Sequence, residues 1–268
     1  MATSETSPPP DLSCNAACLK TSLLNTTLCF DFGNTRLKWA LFSGHTLTQE
    51  GVLDGNPVQA VQELLSRYKP AKSILSSVVH HDEAIEGLLA AGTRFHKLSH
   101  LTRLPFTTPV GSPETIGADR LALAAACVQL FPSRNNLAIG LGTCITYNFI
   151  SKNHEFLGGG ISPGMEMRFK SLPAFTAKLP LVKEDWNFPL VGYDTVTNIL
   201  SGVIAGMAYE ISGFIDEYTK RYRNFNVLLT GGNAARFVPH MKKQIFADPN
   251  LIFKGLYAIS EHNLASSP

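Results

Sequence analysis

The chain has 268 residues, 44% of them hydrophobic and 16% charged, with a formal net charge of +2. That is enough apolar side chain for one large core or two small ones, and too much for a disordered chain. The charge is too mild to drive binding to nucleic acid or to a membrane surface. No apolar run is read as reaching the roughly 20 residues that span a bilayer, and the first residues lack a signal peptide's basic start and apolar centre. Five cysteines are spread along the chain; Cys29, Cys127 and Cys144 lie in apolar runs, and Cys14 and Cys18 have no nearby Cys/His pair to complete a zinc site. Reduced thiols in a cytoplasmic protein are expected.

Residues 1–25, with Pro8-Pro9-Pro10 and scattered Ser and Thr, read as a disordered tail, in which residues 19–24 are alternatively a short helix. Folded sequence begins near Thr27. Leu28-Cys29-Phe30-Asp31-Phe32 is an apolar run ending at Gly33-Asn34; Leu37, Trp39 and Leu41 then alternate with Lys38 and Ala40, a strand signature. Ser43-Gly44 supplies a turn. Val58, Val61, Leu64 and Leu65 have helical spacing, residues 73–79 read as a buried strand, and residues 82–91 as a helix with Asp82 near its start. Residues 121–130 form an Ala- and Leu-rich helix ending before Pro132.

A second cycle follows. Residues 136–141 are an apolar run ending at Gly142-Thr143; Ile145, Tyr147 and Phe149 alternate; Lys152-Asn153 supplies a turn. Later come a long helix over about 195–222, a strand over 226–229 and a short helix near 239–245. Gly33 and Gly142 lie 109 positions apart, as do His45 and His154. The repeated order of elements predicts two lobes of like construction with a nucleotide held between them, by analogy of fold.

Phosphate binding by a hairpin turn needs small residues, free backbone N–H groups and hydroxyl or amide donors. Asp31-Phe32-Gly33-Asn34-Thr35 meets that need, Lys38 adds charge, and Asp31 at a strand end suits Mg²⁺ held through water. A plain Asn-containing hairpin turn accounts for the same pentapeptide. Asp31-Phe32-Gly33 spells the protein-kinase metal motif, but no His-Arg-Asp loop precedes it, and no G-x-x-x-x-G-K-[ST] occurs. Asp119 at the start of a helix is favoured by the helix dipole and reads equally as a capping group. Arg120 beside it opposes that dipole and needs another reason, such as bidentate binding of a substrate carboxylate. Gly142-Thr143 with Thr146 offers a second phosphate turn. The stretch 158–164 reads as a glycine-dense turn presenting N–H groups to an anion, and Thr230-Gly231-Gly232 as a loop under a base or ribose.

Taken together, Asp-x-Gly-Asn-Thr at 31–35, Pro-Glu-Thr-x-Gly-x-Asp-Arg at 113–120, Gly-Thr-x-x-Thr at 142–146, Gly-Gly-x-Ile-x-Pro-Gly at 158–164, Thr-Gly-Gly at 230–232 and Leu-Ile-Phe-Lys-Gly-Leu at 251–256 resemble the type III pantothenate kinases, from about Leu28 to Asn263. The resemblance implies an α/β fold of the actin–hexokinase superfamily: two ribonuclease-H-like lobes, here 26–125 and 126–268, each a mixed five-stranded sheet flanked by helices. It implies ATP-dependent phosphorylation of pantothenate to 4'-phosphopantothenate, the first step of coenzyme A synthesis, by a homodimer using Mg²⁺ and a monovalent cation (K⁺ or NH₄⁺). Carried over by position, Asp31, Phe32, Gly33, Asn34, Thr35, Arg36, Leu37 and Lys38 form the first phosphate loop, with Asp31 toward the metal. Thr143 binds ATP phosphate and Asp119 is the general base. Gly117, Ala118, Arg120 and Thr195 meet pantothenate. Three positions depart from the pattern. Gly140 stands where an Asp holds the monovalent cation, Asn148 where an acidic residue is usual, and Val110 where a Tyr contacts pantothenate, so cation dependence is expected to be weak or absent. Two rivals stand beside this reading: another small-molecule kinase of the same fold, and a nucleotide-binding regulator without catalysis, which would have no need of Asp119.

Overall fold

The computed structural model describes residues 26–241 and 245–264; the expected tail, with Cys14 and Cys18, lies outside them. Strands β1 (Thr26–Phe32), β2 (Leu37–Ser43) and β3 (Thr46–Val52) form an antiparallel meander. Helix α1 (Pro57–Tyr68) follows, with Asn56 Oδ1 accepting from the N–H groups of Val58 and Gln59 and Pro57 in its first turn. Strand β4 (Lys72–Ser77) pairs parallel with β1. Helix α2 (Glu83–Gly92), capped by Asp82, leads to β5 (Arg94–Lys97), which pairs parallel with β4. The order across this sheet is β3-β2-β1-β4-β5.

Helix α3 (Ala118–Leu130) crosses to a second meander of β6 (Asn135–Leu141), β7 (Cys144–Ile150) and β8 (Phe156–Pro163). After α4 (Met165–Phe175) comes the long helix α5 (Thr195–Arg221), which carries a π turn at Ser201–Ala205. Strand β9 (Phe225–Thr230) pairs parallel with β6, the short helix α6 (Ala234–Phe237) follows, and β10 (Phe246–Ala247) pairs parallel with β9. The second sheet therefore runs β8-β7-β6-β9-β10, the same order and sense as the first. The last helix is α7 (Leu251–Leu264).

The layers follow from which face each strand buries. Phe30, Phe32 and Leu75 point outward to α1 and α2, whereas Cys29, Ala40 and Ile74 point inward. In the second sheet Ile139, Ile145, Tyr147 and Phe149 face α4 and α5, while Ala138, Ile150 and Leu228 face inward. Helices α3 and α7 fill the layer between the sheets. Ala122, Ala124, Ala125 and Ala126 of α3 are fully buried, as are Leu251, Leu256 and Ile259 of α7. A helix covered on every side shows little amphipathic patterning, and its small side chains let the partner helix come close.

Several expectations shift. The break between residues 125 and 126 falls inside α3, and α7 packs on the first sheet although it ends the chain. The 158–164 stretch is not a turn: all but Gly164 belongs to strand β8. Its glycines serve packing, since a Cβ on Gly159 would lie 1.8 Å from the Tyr147 carbonyl oxygen. Residues 234–240 are α6 and a 3-10 turn, and residues 242–244 of the helix expected over 239–245 lie outside the described ones. Helix α5 is, among the described residues, the one helix long and apolar enough by composition to cross a bilayer. Its apolar side (Ile199, Leu200, Ile204, Met207, Ile211, Ile215) is buried against the second sheet. Cys29, Cys127 and Cys144 are free thiols.

The contact between α3 and α7 generates a test. A Cβ on Gly255 would sit 1.8 Å from the Ala122 carbonyl oxygen, in fixed helical backbone. Gly255→Ala is expected to destabilise by about 2–4 kcal/mol, because the helices must move apart in a packed layer. Denaturant unfolding of the variant measures it; an unchanged midpoint would mean that the helices do not approach this closely.

Candidate active site

The two sheets bring their β1–β2 and β6–β7 turns face to face. Thr35 Oγ1 and Thr143 Oγ1 are 2.9 Å apart, a direct hydrogen bond between residues 108 positions apart in sequence. The first turn is closed by the Gly33 N–H donating to the Arg36 carbonyl (3.1 Å), and the second by the Gly142 N–H donating to Cys144 (3.1 Å). Asn34, Thr35 and Arg36 are exposed. Phe32 is fully buried and turns away, edge-on to Phe30 and His81, and Leu37 packs in the same outer core. Of the first loop, Phe32 and Leu37 therefore offer the cleft only backbone.

Glycines seat the second turn among its neighbours. A Cβ on Gly164, at the start of α4, would lie 2.3 Å from the Gly142 carbonyl oxygen. One on Gly231, whose φ is +104°, would lie 2.2 Å from that of Leu141. Thr230-Gly231-Gly232 thus abuts the Gly142-Thr143 turn.

Strand register places a row of polar groups beside each turn. In the first sheet Lys38, Asp31 and Ser76 stand abreast on β2, β1 and β4, on the inward face. In the second, the matching row is Thr146, Gly140 and Thr230 on β7, β6 and β9. Gly140 occupies the place that Asp31 has in the first sheet. The space a side chain would need there is filled: a Cβ would lie 2.8 Å from Thr146 Oγ1 and 3.4 Å from Leu123 Cδ1.

Burial pushes the Asp31 carboxyl up to about 7, against the pull of Lys38, and Asp119 adds to the rise. Ser76 Oγ, fully buried beside Asp31 in register, has no hydrogen-bond partner in the protein, which fits a site completed by water. Asp119 stands in the first turn of α3, whose N-cap is Gly117. Burial raises its carboxyl too, while the backbone N–H and guanidinium of Arg120 draw it back. A Cβ on Gly117 would come 2.5 Å from Asp119 Oδ1, so glycine there leaves the carboxylate its room.

Arg120 has the reason that its helix position lacks. Its Nε donates to Asn148 Oδ1 (2.7 Å), its Nη2 to the Tyr147 carbonyl (3.1 Å), and its guanidinium lies 5.4 Å from the centre of the Phe156 ring. Ala118 is buried in the central layer, and Val110 packs against that layer from the loop before α3. Thr195 is elsewhere: it starts α5 on the outer side of the second sheet and is exposed. Sequence reasoning singles out Asn148 as a departure from the family pattern but not as a partner of Arg120; Ser76 and the Tyr147 carbonyl escape it, although a serine in a buried strand run is a visible signal.

Sequence comparisons with known proteins agree on one family. A family model described as type III pantothenate kinase matches residues 27–217. A protein named type III pantothenate kinase from Cytophaga hutchinsonii is 41% identical over 88% of this chain and 99% of its own length. One of the same name from Christiangramia forsetii is 40% identical over 88% and 98%. Among solved structures, one from Campylobacter jejuni described as a putative Baf family transcriptional activator superimposes with a TM-score of 0.59 at 21% identity, covering 89% of this chain and 99% of that one. A putative 2-dehydro-3-deoxygalactonokinase from Sinorhizobium meliloti gives a TM-score of 0.55 at 12% identity over 88% and 98%. At those identities the structures speak for the fold alone. With the family model covering most of the folded chain and the relatives nearly all of it, the chain belongs to the type III pantothenate kinase family.

Proposed function

We propose that this enzyme transfers the γ-phosphoryl group of ATP to the primary hydroxyl of pantothenate, forming 4'-phosphopantothenate in coenzyme A synthesis. The observation that carries the site assignment is the meeting of the two turns at Thr35 and Thr143, with Asp31 and Asp119 close enough to feel each other's charge. The turns bind the phosphates through backbone N–H groups and the two threonine hydroxyls, with Lys38 adding charge. Phosphoryl transfer asks the protein mainly for positioning and charge stabilisation. Asp119, held by Gly117 and raised by burial, accepts the hydroxyl proton late in the transfer. Arg120 meets the pantothenate carboxylate, and Val110 and Ala118 border that pocket. ATP use by a biosynthetic enzyme places it in the cytoplasm.

Asp31 with the unpartnered Ser76 hydroxyl suits Mg²⁺ bound through its own water. Asp31 and Ser76 would hold the hydrated ion, which would supply charge neutralisation at the phosphates. Among the described residues no group of three or more His, Cys, Asp and Glu could hold a metal, which fits an ion shared with the nucleotide. The monovalent-cation site is absent in this reading: Gly140 supplies no carboxylate, Thr146 and Leu123 fill its space, and the Asn148 oxygen is taken by Arg120. A homodimer is supported by exposed apolar side chains on the second half, Phe175 (87% exposed), Val191 (81%) and Tyr193 (81%). Thr195 adjoins the last two, so a second copy would bring it a neighbouring site.

Three measurements test this reading. Asp119→Asn keeps size and hydrogen bonding but removes proton acceptance; kcat is expected to fall about 10²-fold or more with nucleotide affinity retained, and near-parental turnover would end the assignment. Rates in Tris–Na⁺ buffer should match those in the same buffer with K⁺, whereas a rise of about tenfold, worth ~1.4 kcal/mol, would show that a cation site survives. The third concerns Asp31. Its carboxyl is raised in the fold above its unfolded value, so the native state binds the extra proton. That contribution is full near pH 4 and is lost as pH rises through about 7. Thermal midpoints without nucleotide should therefore fall from pH 5 to pH 8 more steeply in the parent than in Asp31→Asn. Parallel pH profiles for the two proteins would show that Asp31 is not the titrating group.

A further inference from the structure

Asn148 lies in the middle of β7 and is fully buried. Every polar atom of its side chain is engaged. Nδ2 donates to the Ala138 carbonyl (3.2 Å) and to Thr146 Oγ1 (3.2 Å), which fixes the amide's orientation, and Oδ1 accepts from Arg120 Nε (2.7 Å). Arg120 is also held by the Tyr147 carbonyl and lies against the Phe156 ring. All three partners are uncharged. A guanidinium has five N–H donors in a planar fork. The bonds to Asn148 and Tyr147 engage its Nε–Nη2 edge, which leaves the hydrogens of Nη1 and the second of Nη2 directed along the other edge, a pair spaced for a carboxylate.

We infer that Asn148 is a positioning residue for substrate: it fixes the Arg120 guanidinium through neutral contacts that take none of its charge, so that the guanidinium is presented to an anionic group on the substrate. An aspartate in the same place would hold the guanidinium equally well but would pair with it and cancel its field. Gly140, on the same inward face one strand away, likewise supplies no carboxylate to compete. Asp119 is the carboxylate whose charge bears on Arg120, with the Tyr218 phenol a further titratable neighbour.

This inference rests on the reading of pantothenate as the substrate whose carboxylate Arg120 meets, so the parent protein is assayed alongside. The experiment compares parent, Asn148→Asp and Asn148→Ala with pantothenate and with panthenol, the neutral alcohol in which CH₂OH replaces the carboxylate. Panthenol is measured as a competitive inhibitor or alternative substrate. In Asn148→Asp the KM for pantothenate should rise about tenfold, the fold-change equivalent to losing one charge-assisted interaction. Panthenol affinity and the KM for ATP should not move. Asn148→Ala, which frees the guanidinium, should also weaken pantothenate more than panthenol. Equal losses for both ligands, or a fall in thermal midpoint with pantothenate KM unchanged, would overturn the inference by showing that Asn148 only supports the strand. A parent protein that fails to phosphorylate pantothenate would instead overturn the functional reading.

Discussion

The distance between the two sheets governs everything the cleft does, and it is set by backbone meeting backbone where Gly255 lies on the Ala122 carbonyl. Helices α3 and α7 form one layer serving both sheets, packed with alanine on one helix and with leucine, isoleucine and phenylalanine on the other. Close-packed interiors transmit displacement rather than absorb it. A wider layer would part Thr35 from Thr143, whose hydroxyls lie 2.9 Å apart at the mouth of the cleft. The same helix α3 carries Asp119 and Arg120 in its first turn. The spacing that joins the two turns is thus the spacing that sets the acidic residue against them.

Duplication explains why the groups converge. Each sheet runs in the order meander, then two parallel strands, so the β1 and β6 ends point to the same place when the copies face each other. Small residues at both turns let backbone N–H groups face a ligand. The copies have diverged in charge, however. Asp31 stands between Lys38 and Ser76, whereas Gly140 stands between Thr146 and Thr230.

Much of this is legible in the chain because alternation and turn chemistry are local. The β1–β2 and β6–β7 hairpins show the two-residue period of strands, and Asp82 caps the helix that follows it. Helix α7 is obscure for a physical reason: buried on several sides and holding Gly255 mid-helix, it shows neither a polar stripe nor uninterrupted helix formers. The glycines of β8 read as a turn because glycine usually marks one. Here they yield space to the Tyr147 carbonyl and to the Tyr147 and Phe214 rings, contacts made from another strand and a later helix. Strand β5 is four residues long and only partly buried, too short to show a period. In the site, Asp31, Asp119, Arg120 and Thr143 are legible as motif residues. What Arg120 does is not, because its partner Asn148 is 28 residues away and comes within reach only when α3 crosses β7.

The charges then form a consistent arrangement. Two carboxylates, Asp31 and Asp119, lie where burial raises both, and a lysine and an arginine stand beside them. Each basic group is held differently. Lys38 faces Asp31 directly across the β1–β2 pair and tempers it. Arg120 is seated on an amide oxygen, a backbone carbonyl and an aromatic face, none of which takes its charge. In a site of reduced dielectric a guanidinium whose hydrogen-bond partners are neutral, with Asp119 the carboxylate that bears on it, acts more strongly on an incoming anion than it would in water. The absence of carboxylates at position 140, in the second row, and at position 148, two residues beyond Thr146 on β7, has one physical effect with two faces. On the reading proposed above, this takes away the attraction that a monovalent cation needs and leaves Arg120 as the fixed cation for the substrate's anionic group.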